Sequence, residues 1–139
     1  MKIYETVLWK PYPDSENALK RAKQLGLKTA VVTSVARFMF EKSLKTILNK
    51  VDMIVDGYTF RCEKSNPKIY LRTLAALWVE PAQAVMIGDD LAVDVKLPEG
   101  LGLKAILVDR ESKHSAKPHH ADAVVKDLNS AMEFVSKGV

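Results

Sequence analysis

Short, largely apolar runs alternate with amphipathic stretches along most of the chain. The runs at residues 28–33, 52–56, 84–87, 104–108 and 123–125 predict β-strands. Strands with almost no polar positions are typical of a parallel sheet that helices cover on both faces. The pattern therefore favours a buried parallel sheet over an antiparallel sheet with one face in water.

The segments between these strands carry apolar residues at helical spacing. Gly26 closes the first of them, Asn66 and Pro67 begin the third, and Pro81 ends it. Four helices are predicted, with apolar stripes at Ala18, Leu19, Ala22 and Leu25; Phe40, Leu44, Ile47 and Leu48; Tyr70, Leu74, Leu77 and Trp78; and Leu128, Ala131, Met132 and Val135. Both tryptophans, Trp9 and Trp78, are expected to pack in the core or against helices.

The alternation of strand and helix predicts one α/β domain over residues 1–139, built on a parallel sheet with helices on both faces. A length of 139 residues suits one modest core, and 47% hydrophobic with 27% charged residues is ordinary globular composition. No apolar stretch reaches the roughly 18 residues that cross a bilayer, and the first residues lack a signal-peptide pattern. We expect a soluble cytoplasmic protein with no membrane partner.

Charge and cysteine content narrow the function classes further. The net charge is +4 and its basic excess lies in the first half, but the lysines there flank a helical stripe with no interleaved aromatic residues. This pattern favours a solvated helix face, so no nucleic-acid partner is expected. Cys62 is alone and is interpreted as structural. The three histidines, His114, His119 and His120, lie in a cationic, loop-like segment that does not resemble a metal site.

Polar residues concentrate where the predicted strands end, which in a parallel sheet is the edge that binds ligands. They are Thr33, Ser34, Lys64, Asp89, Asp90 and Asp94. A hydroxyl and helix N–H groups can hold phosphoryl oxygens, a lysine neutralises nearby negative charge, and neighbouring carboxylates favour Mg²⁺. The set predicts phosphoryl chemistry. In the alternative interpretation, Asp89 and Asp90 only cap the next helix and Lys64 is solvated.

Three segments resemble the second, third and fourth motifs of the haloacid dehalogenase superfamily, in that family's order. They are Val31-Val32-Thr33-Ser34, the Lys64-Ser65-Asn66-Pro67 segment, and Gly88-Asp89-Asp90 with Asp94. The resemblance covers about residues 11–135 and implies a Rossmann-like core and a Mg²⁺-dependent phosphatase of a small phosphorylated metabolite.

The resemblance also implies roles for individual residues. Thr33, with Ser34, would bind the phosphoryl group, and Lys64 would orient the nucleophile and the phosphate. Asp89 would bind the metal, and Asp90 and Asp94 would support the metal or position Lys64. The substrate itself is not indicated by the sequence.

The family's first motif, a strand ending in Asp-x-Asp, has no counterpart. The first aspartate is Asp14, in a proline-flanked turn, and the only earlier carboxylate is Glu5. The first core strand is therefore expected to be absent or replaced. Residues 1–10 suit either the remnant of a cap helix, which we favour, or a replacement strand. A missing central strand would leave unpaired edges, so self-association or a separate amino-terminal piece is expected to complete the sheet.

Two classes of function remain open from the sequence. The first is a phosphatase domain that lacks its first motif and is inactive as an isolated chain. The second is a non-catalytic phosphate- or metal-binding remnant, or an assembly partner, on the same scaffold. A dehalogenase is less consistent with the acidic cluster, and a phosphorylation-receiver domain would present its acidic pair before the threonine and lysine.

Overall fold

The computed structural model describes residues 6–9, 14–33, 50–56, 66–110 and 121–137. Six strands of the described residues form one sheet, in the order β3-β2-β1-β4-β5-β6, and every pairing is parallel. The strands are β1 (Thr6–Trp9), β2 (Lys28–Thr33), β3 (Met53–Asp56), β4 (Ala84–Gly88), β5 (Lys104–Val108) and β6 (Ala123–Val125). The helices are α1 (Ser15–Gln24), α2 (Lys68–Leu77), α3 (Leu97–Gly100) and α4 (Leu128–Ser136), with a 3₁₀ turn at Pro81–Gln83 and a π-helical segment at Leu91–Lys96.

Helices cover both faces of the sheet, so the predicted α/β class is confirmed. Successive strand residues point to opposite faces. Val31, Val85 and Ile87 pack with α1 and α4, whereas Val32 and Met86 pack with α2. The burial of every residue of β4 follows from this double cover.

The first strand corrects the preference for a cap-helix remnant. Thr6–Trp9 is a strand, paired with β2 on one side and β4 on the other. A central parallel sheet position offers hydrogen-bond partners on both sides to the backbone of a short β-branched and apolar segment, and a helix there would leave both neighbouring edges unpaired. The replacement-strand alternative is therefore the correct one for these four residues; residues 1–5 and 10 lie outside the described part.

The helix that begins near Asn66 follows the predicted stripe with one exception. Ile69, Tyr70, Leu74 and Leu77 are buried, but the prediction that Trp78 is buried is wrong, since it is 89% exposed. The helix ends at Leu77, and Trp78 has a φ of 59°. This left-handed residue breaks the helical phase, and Val79 takes the buried position that the spacing assigned to Trp78.

Two further outcomes concern segments between strands. The four predicted helices did not include residues 91–100, although the alternative interpretation of Asp89 and Asp90 had them cap a helix at this point, and the structure has helical segments there. The predicted helix with Phe40, Leu44, Ile47 and Leu48 lies outside the described residues. None of the helices in the described ranges has the length and apolarity needed to traverse a bilayer.

Candidate functional site

Thr33 and Asp89 lie at the same edge of the sheet and at the same level along the strand direction. Trp9 of β1 pairs with Val31 on one side and with Ile87 on the other. Thr33 comes two residues after Val31, and Asp89 comes two residues after Ile87. With one strand between them, the two residues are about 10 Å apart across the sheet. A phosphoryl group together with a metal ion could span this separation.

The turn after β4 is held by the buried carboxylate of Asp94. Asp94 Oδ2 accepts the Asp90 N–H at 2.9 Å, and the Asp94 N–H donates to the Asp90 carbonyl at 2.8 Å. The Asp94 carboxylate also lies against Gly88, where an added Cβ would come within 2.3 Å of Oδ2. Gly88 and Asp94 therefore fix the path of the backbone that presents Asp89.

The carboxylate of Asp90 caps the helical segment that follows β4. Asp90 Oδ1 accepts from the Ala92 and Val93 N–H groups, at 3.0 and 3.2 Å, and so caps the segment that follows. Asp89 is exposed at the tip of the strand. For Asp90, the structure contains the helix cap that the alternative interpretation described, and both Asp89 and Asp90 are exposed.

Tyr70 of α2 stabilises the π-helical segment that follows Asp90. Its side chain is fully buried and its hydroxyl donates to the Val93 carbonyl. Burial raises the pKa of the Tyr70 hydroxyl far above its ordinary value of 10, and the carboxylates of Asp94 and Asp90 raise it further. The hydroxyl therefore stays protonated and remains a donor through the physiological range.

Replacing Tyr70 with phenylalanine should cost about 1 kcal/mol of stability, since the Val93 carbonyl loses its donor while the ring still fills the core. Because the folded-state pKa of Tyr70 is raised, the native protein holds this proton more tightly than the unfolded chain, so stability falls as pH rises above 10. Urea unfolding at pH 8 and pH 10.5 measures both effects. A Tyr70→Phe chain whose stability falls as steeply above pH 10 as that of the wild type would contradict this assignment.

Two buried carboxylates at this edge were missed by the sequence analysis. Asp56 ends β3, pairs in register with Thr33 and is 2% exposed. Asp109 follows β5 and is 4% exposed. Each comes directly at the carboxyl end of an apolar strand, and this position was the available signal. Within the described ranges no group of three or more His, Cys, Asp and Glu side chains is placed to hold a metal ion.

Asp14, the first aspartate of the chain, is engaged elsewhere. Its Oδ1 pairs with Arg110 Nη2 at 2.6 Å, and its Oδ2 accepts the Leu128 N–H at 2.9 Å. The carboxylate thus joins the start of α1 to the segment after β5 and to the start of α4. Between β1 and Asp14 the sequence reads Lys10-Pro11-Tyr12-Pro13, which contains no carboxylate.

Of the remaining candidates, only Thr33 belongs to the described part of the chain. Ser34, Lys64 and the three histidines lie outside the described residues, and so does Cys62. Thr33 is 6% exposed at the end of β2. The structure therefore brings Thr33, Asp89, Asp90 and Asp94 to one edge, and the position of Lys64 stays a prediction.

Comparisons with known proteins agree on one family. The haloacid dehalogenase-like hydrolase family matches residues 3–102. A phosphoglycolate phosphatase of Aquifex aeolicus is 38% identical over 104 residues, which cover 73% of this chain and 48% of that protein. A glyceraldehyde 3-phosphate phosphatase of Methanopyrus kandleri is 31% identical over 117 residues, which cover 83% of this chain and 50% of that protein.

A solved structure shows the same arrangement. The crystal structure of a HAD phosphatase from Thermococcus onnurineus superposes with a TM-score of 0.79 at 29% identity, over 89% of this chain and 57% of the other. The chain spans about half the length of the curated relatives it matches.

Proposed function

The chain belongs to the haloacid dehalogenase-like hydrolases, as its three phosphatase-type motifs predict, and on this basis we propose that it carries the phosphate- and metal-binding half of a phosphatase site. The substrate class that we propose is a small phosphorylated metabolite. Two of the similar proteins are named as phosphatases of glyceraldehyde 3-phosphate and of phosphoglycolate, both small phosphate esters.

The residues of the carboxyl edge have the chemistry for this task. Mg²⁺ commonly takes one or two carboxylates and completes its shell with water and phosphate oxygens. Asp89, exposed at the strand tip, would hold the ion, which would neutralise charge on the phosphoryl group. Thr33 would donate its hydroxyl to a phosphoryl oxygen, and Lys64 would neutralise the remaining charge. Asp94 would act as a positioning residue, through the Asp90 N–H.

We further propose that the 139-residue chain does not hydrolyse phosphate esters by itself. One observation carries this part: the central strand β1 leads into a segment without a carboxylate, and Asp14 is committed to Arg110 and the Leu128 N–H. A nucleophilic carboxylate must sit in line with the leaving group, and a carboxylate that holds a metal does not meet that condition.

The same observation favours the second candidate function, a binding or assembly module on this scaffold. In that case the attacking carboxylate is not needed, and phosphate or metal binding is the activity. A separate amino-terminal piece with an Asp-x-Asp strand would complete an enzyme only by taking the place of β1 between β2 and β4. Such a piece and self-association both stay predictions. The coding sequence directly upstream of Met1 distinguishes an enzyme from a binding or assembly module, since an in-frame Asp-x-Asp segment would favour the enzyme.

The isolated chain should show no Mg²⁺-dependent hydrolysis of an aryl phosphate above the buffer rate. It should still bind Mg²⁺, and an ion concentration about ten times Kd raises the free energy of unfolding by about 1.4 kcal/mol. Thermal unfolding with and without Mg²⁺ measures this shift, and Asp89→Asn should abolish it.

Two results would contradict the proposal. Turnover by the wild-type chain that disappears in Asp89→Asn would show that a nucleophile is present. An equal rise in melting temperature with Mg²⁺ in the wild type and in Asp89→Asn would show that Asp89 does not bind the ion. The control is Asp122→Asn, because Asp122 lies at the opposite edge, where its Oδ2 accepts the Ala105 N–H.

A further inference from the structure

Trp78 combines two unfavourable properties at one position. It is 89% exposed, and its backbone is left-handed, with a φ of 59°. In the described part of the chain it is the only residue other than glycine with a positive φ. Bulky side chains rarely adopt this conformation, which glycine takes without penalty.

The surrounding backbone explains how the conformation is held. The Val79 N–H donates to the Leu74 carbonyl and the Trp78 N–H donates to the Ala75 carbonyl, both at 3.1 Å. These two bonds form a Schellman motif, in which the left-handed position is usually glycine. Val79 packs with Leu74 in the core and completes the motif. Glycine at residue 78 would form the same backbone hydrogen bonds at a lower conformational cost, so the fold does not explain the indole ring.

The exposed side of α2 continues this apolar surface. Leu71 is 45% exposed, and Ala75 is exposed one turn further along the helix. Trp78 then follows, bonded through its N–H to Ala75. We call Leu71, Ala75 and Trp78 the α2 stripe. The other large exposed apolar side chain among the described residues, Val124, lies on the edge strand β6.

Cations border the α2 stripe. Lys68 and Arg72 are exposed on α2, and residues 66–79 contain no acidic side chain. Lys28 Nζ donates to the Leu77 carbonyl at 2.7 Å, so a third cation lies next to Trp78. The nearest acidic residue in the sequence is Glu80, whose carboxylate takes part in a capping box with Gln83. The stripe is apolar along its centre and basic at its border.

We propose that the α2 stripe docks an acidic amphipathic helix of a partner protein. Trp78 is the anchor, since tryptophan is enriched among the few residues that carry most of the binding energy of an interface. Leu71 and Ala75 receive the apolar face of the partner helix, and its acidic side chains pair with Lys68, Arg72 and Lys28. Docking would bury the ring that the left-handed backbone displays.

The charge distribution favours this partner over two others. A symmetric dimer through the α2 stripe would bring the same cations of two copies together, which repel. A membrane surface needs more basic residues than these three to hold a protein through one exposed helix.

The binding test uses a fluorescein-labelled synthetic helix with leucine at positions i, i+3, i+4 and i+7 and glutamate elsewhere. We expect saturable binding by fluorescence anisotropy that weakens as salt rises. Trp78→Gly and Arg72→Glu should each weaken binding at least about tenfold. Trp78→Gly should keep or raise the melting temperature, because it removes a left-handed bulky residue. Val124→Ala is the matched control and should bind as the wild type does.

Four outcomes would overturn the proposal. They are the absence of peptide binding, equal binding of a helix with lysine in place of glutamate, binding to phosphatidylserine vesicles that Trp78→Gly abolishes, and a concentration-dependent dimer in sedimentation that Trp78→Gly abolishes. The third result would assign the stripe to a membrane and the fourth to a second copy of the chain.

Discussion

Replacing Gly88 with alanine should lower the free energy of unfolding by about 3 kcal/mol. The new methyl group would lie 2.3 Å from Asp94 Oδ2 and 2.6 Å from Asp94 Cβ, and both atoms belong to a side chain that is fully buried. Because an aspartate is too short to move its carboxylate aside while its Cβ stays in place, either β4 or the segment after it must shift. The shift would also break the bond from the Asp90 N–H.

The matched control is Gly100→Ala. Gly100 is the last residue of α3, and an added Cβ there meets nothing within 4 Å. Alanine should be neutral or stabilise by about 0.5–1 kcal/mol, because glycine loses more backbone freedom on folding. Urea unfolding of both variants measures the difference. Equal stability of the two variants would show that Asp94 does not pack against Gly88 in solution.

Replacing Asp14 with alanine should cost about 2 kcal/mol. The Leu128 N–H, at the first position of α4, loses its acceptor, and Arg110 loses its 2.6 Å contact with Asp14. Asp14→Asn should cost less than this, because the amide oxygen can still accept from the Leu128 N–H while the charge is lost.

Glu16 provides the comparison for Asp14, since it lies two residues away and is also ion-paired. Its carboxylate contacts Lys50 Nζ at 2.9 Å, but both side chains are largely exposed. Glu16→Ala should therefore cost far less stability than Asp14→Ala, because water screens an exposed ion pair. Thermal unfolding of the two alanine variants compares their losses of stability. The larger loss is expected for Asp14, whose carboxylate joins three segments, and the smaller for Glu16, which only forms a surface ion pair. A loss from Glu16→Ala as large as that from Asp14→Ala would contradict the role given to Asp14.

The parts of the fold that follow from local pattern were predictable. The apolar runs ending at Thr33 and Ile87 mark strands whatever their neighbours are, and their lack of alternation indicated cover on both faces. Since parallel strands share one carboxyl edge, the grouping of Thr33 with Asp89 also followed from sequence. The role of Asp14 did not, because its partner Leu128 is 114 positions away.

Two errors have physical causes that the local sequence does not contain. Residues 6–9 suit a helix or a strand, and the hydrogen-bonding groups of β2 and β4 decide between them. At Trp78 the spacing continued the apolar stripe, but the Schellman bonds end the helix one residue earlier. A clue was present in Val79, because an apolar residue five positions after Leu74 is the usual companion of that motif.

The place of β1 also sets how the chain can reach its folded state. Two groups of strands, β3–β2 and β4–β5–β6, are each built from strands close in sequence. They meet through the four residues of β1, where Thr6 is in register with Lys28 on one side and with Ala84 on the other. The two halves can form early from local contacts, whereas their union needs a long loop to close and is the slow, entropically costly event. The earliest part of the sheet to be synthesised is thus the last to find all its partners.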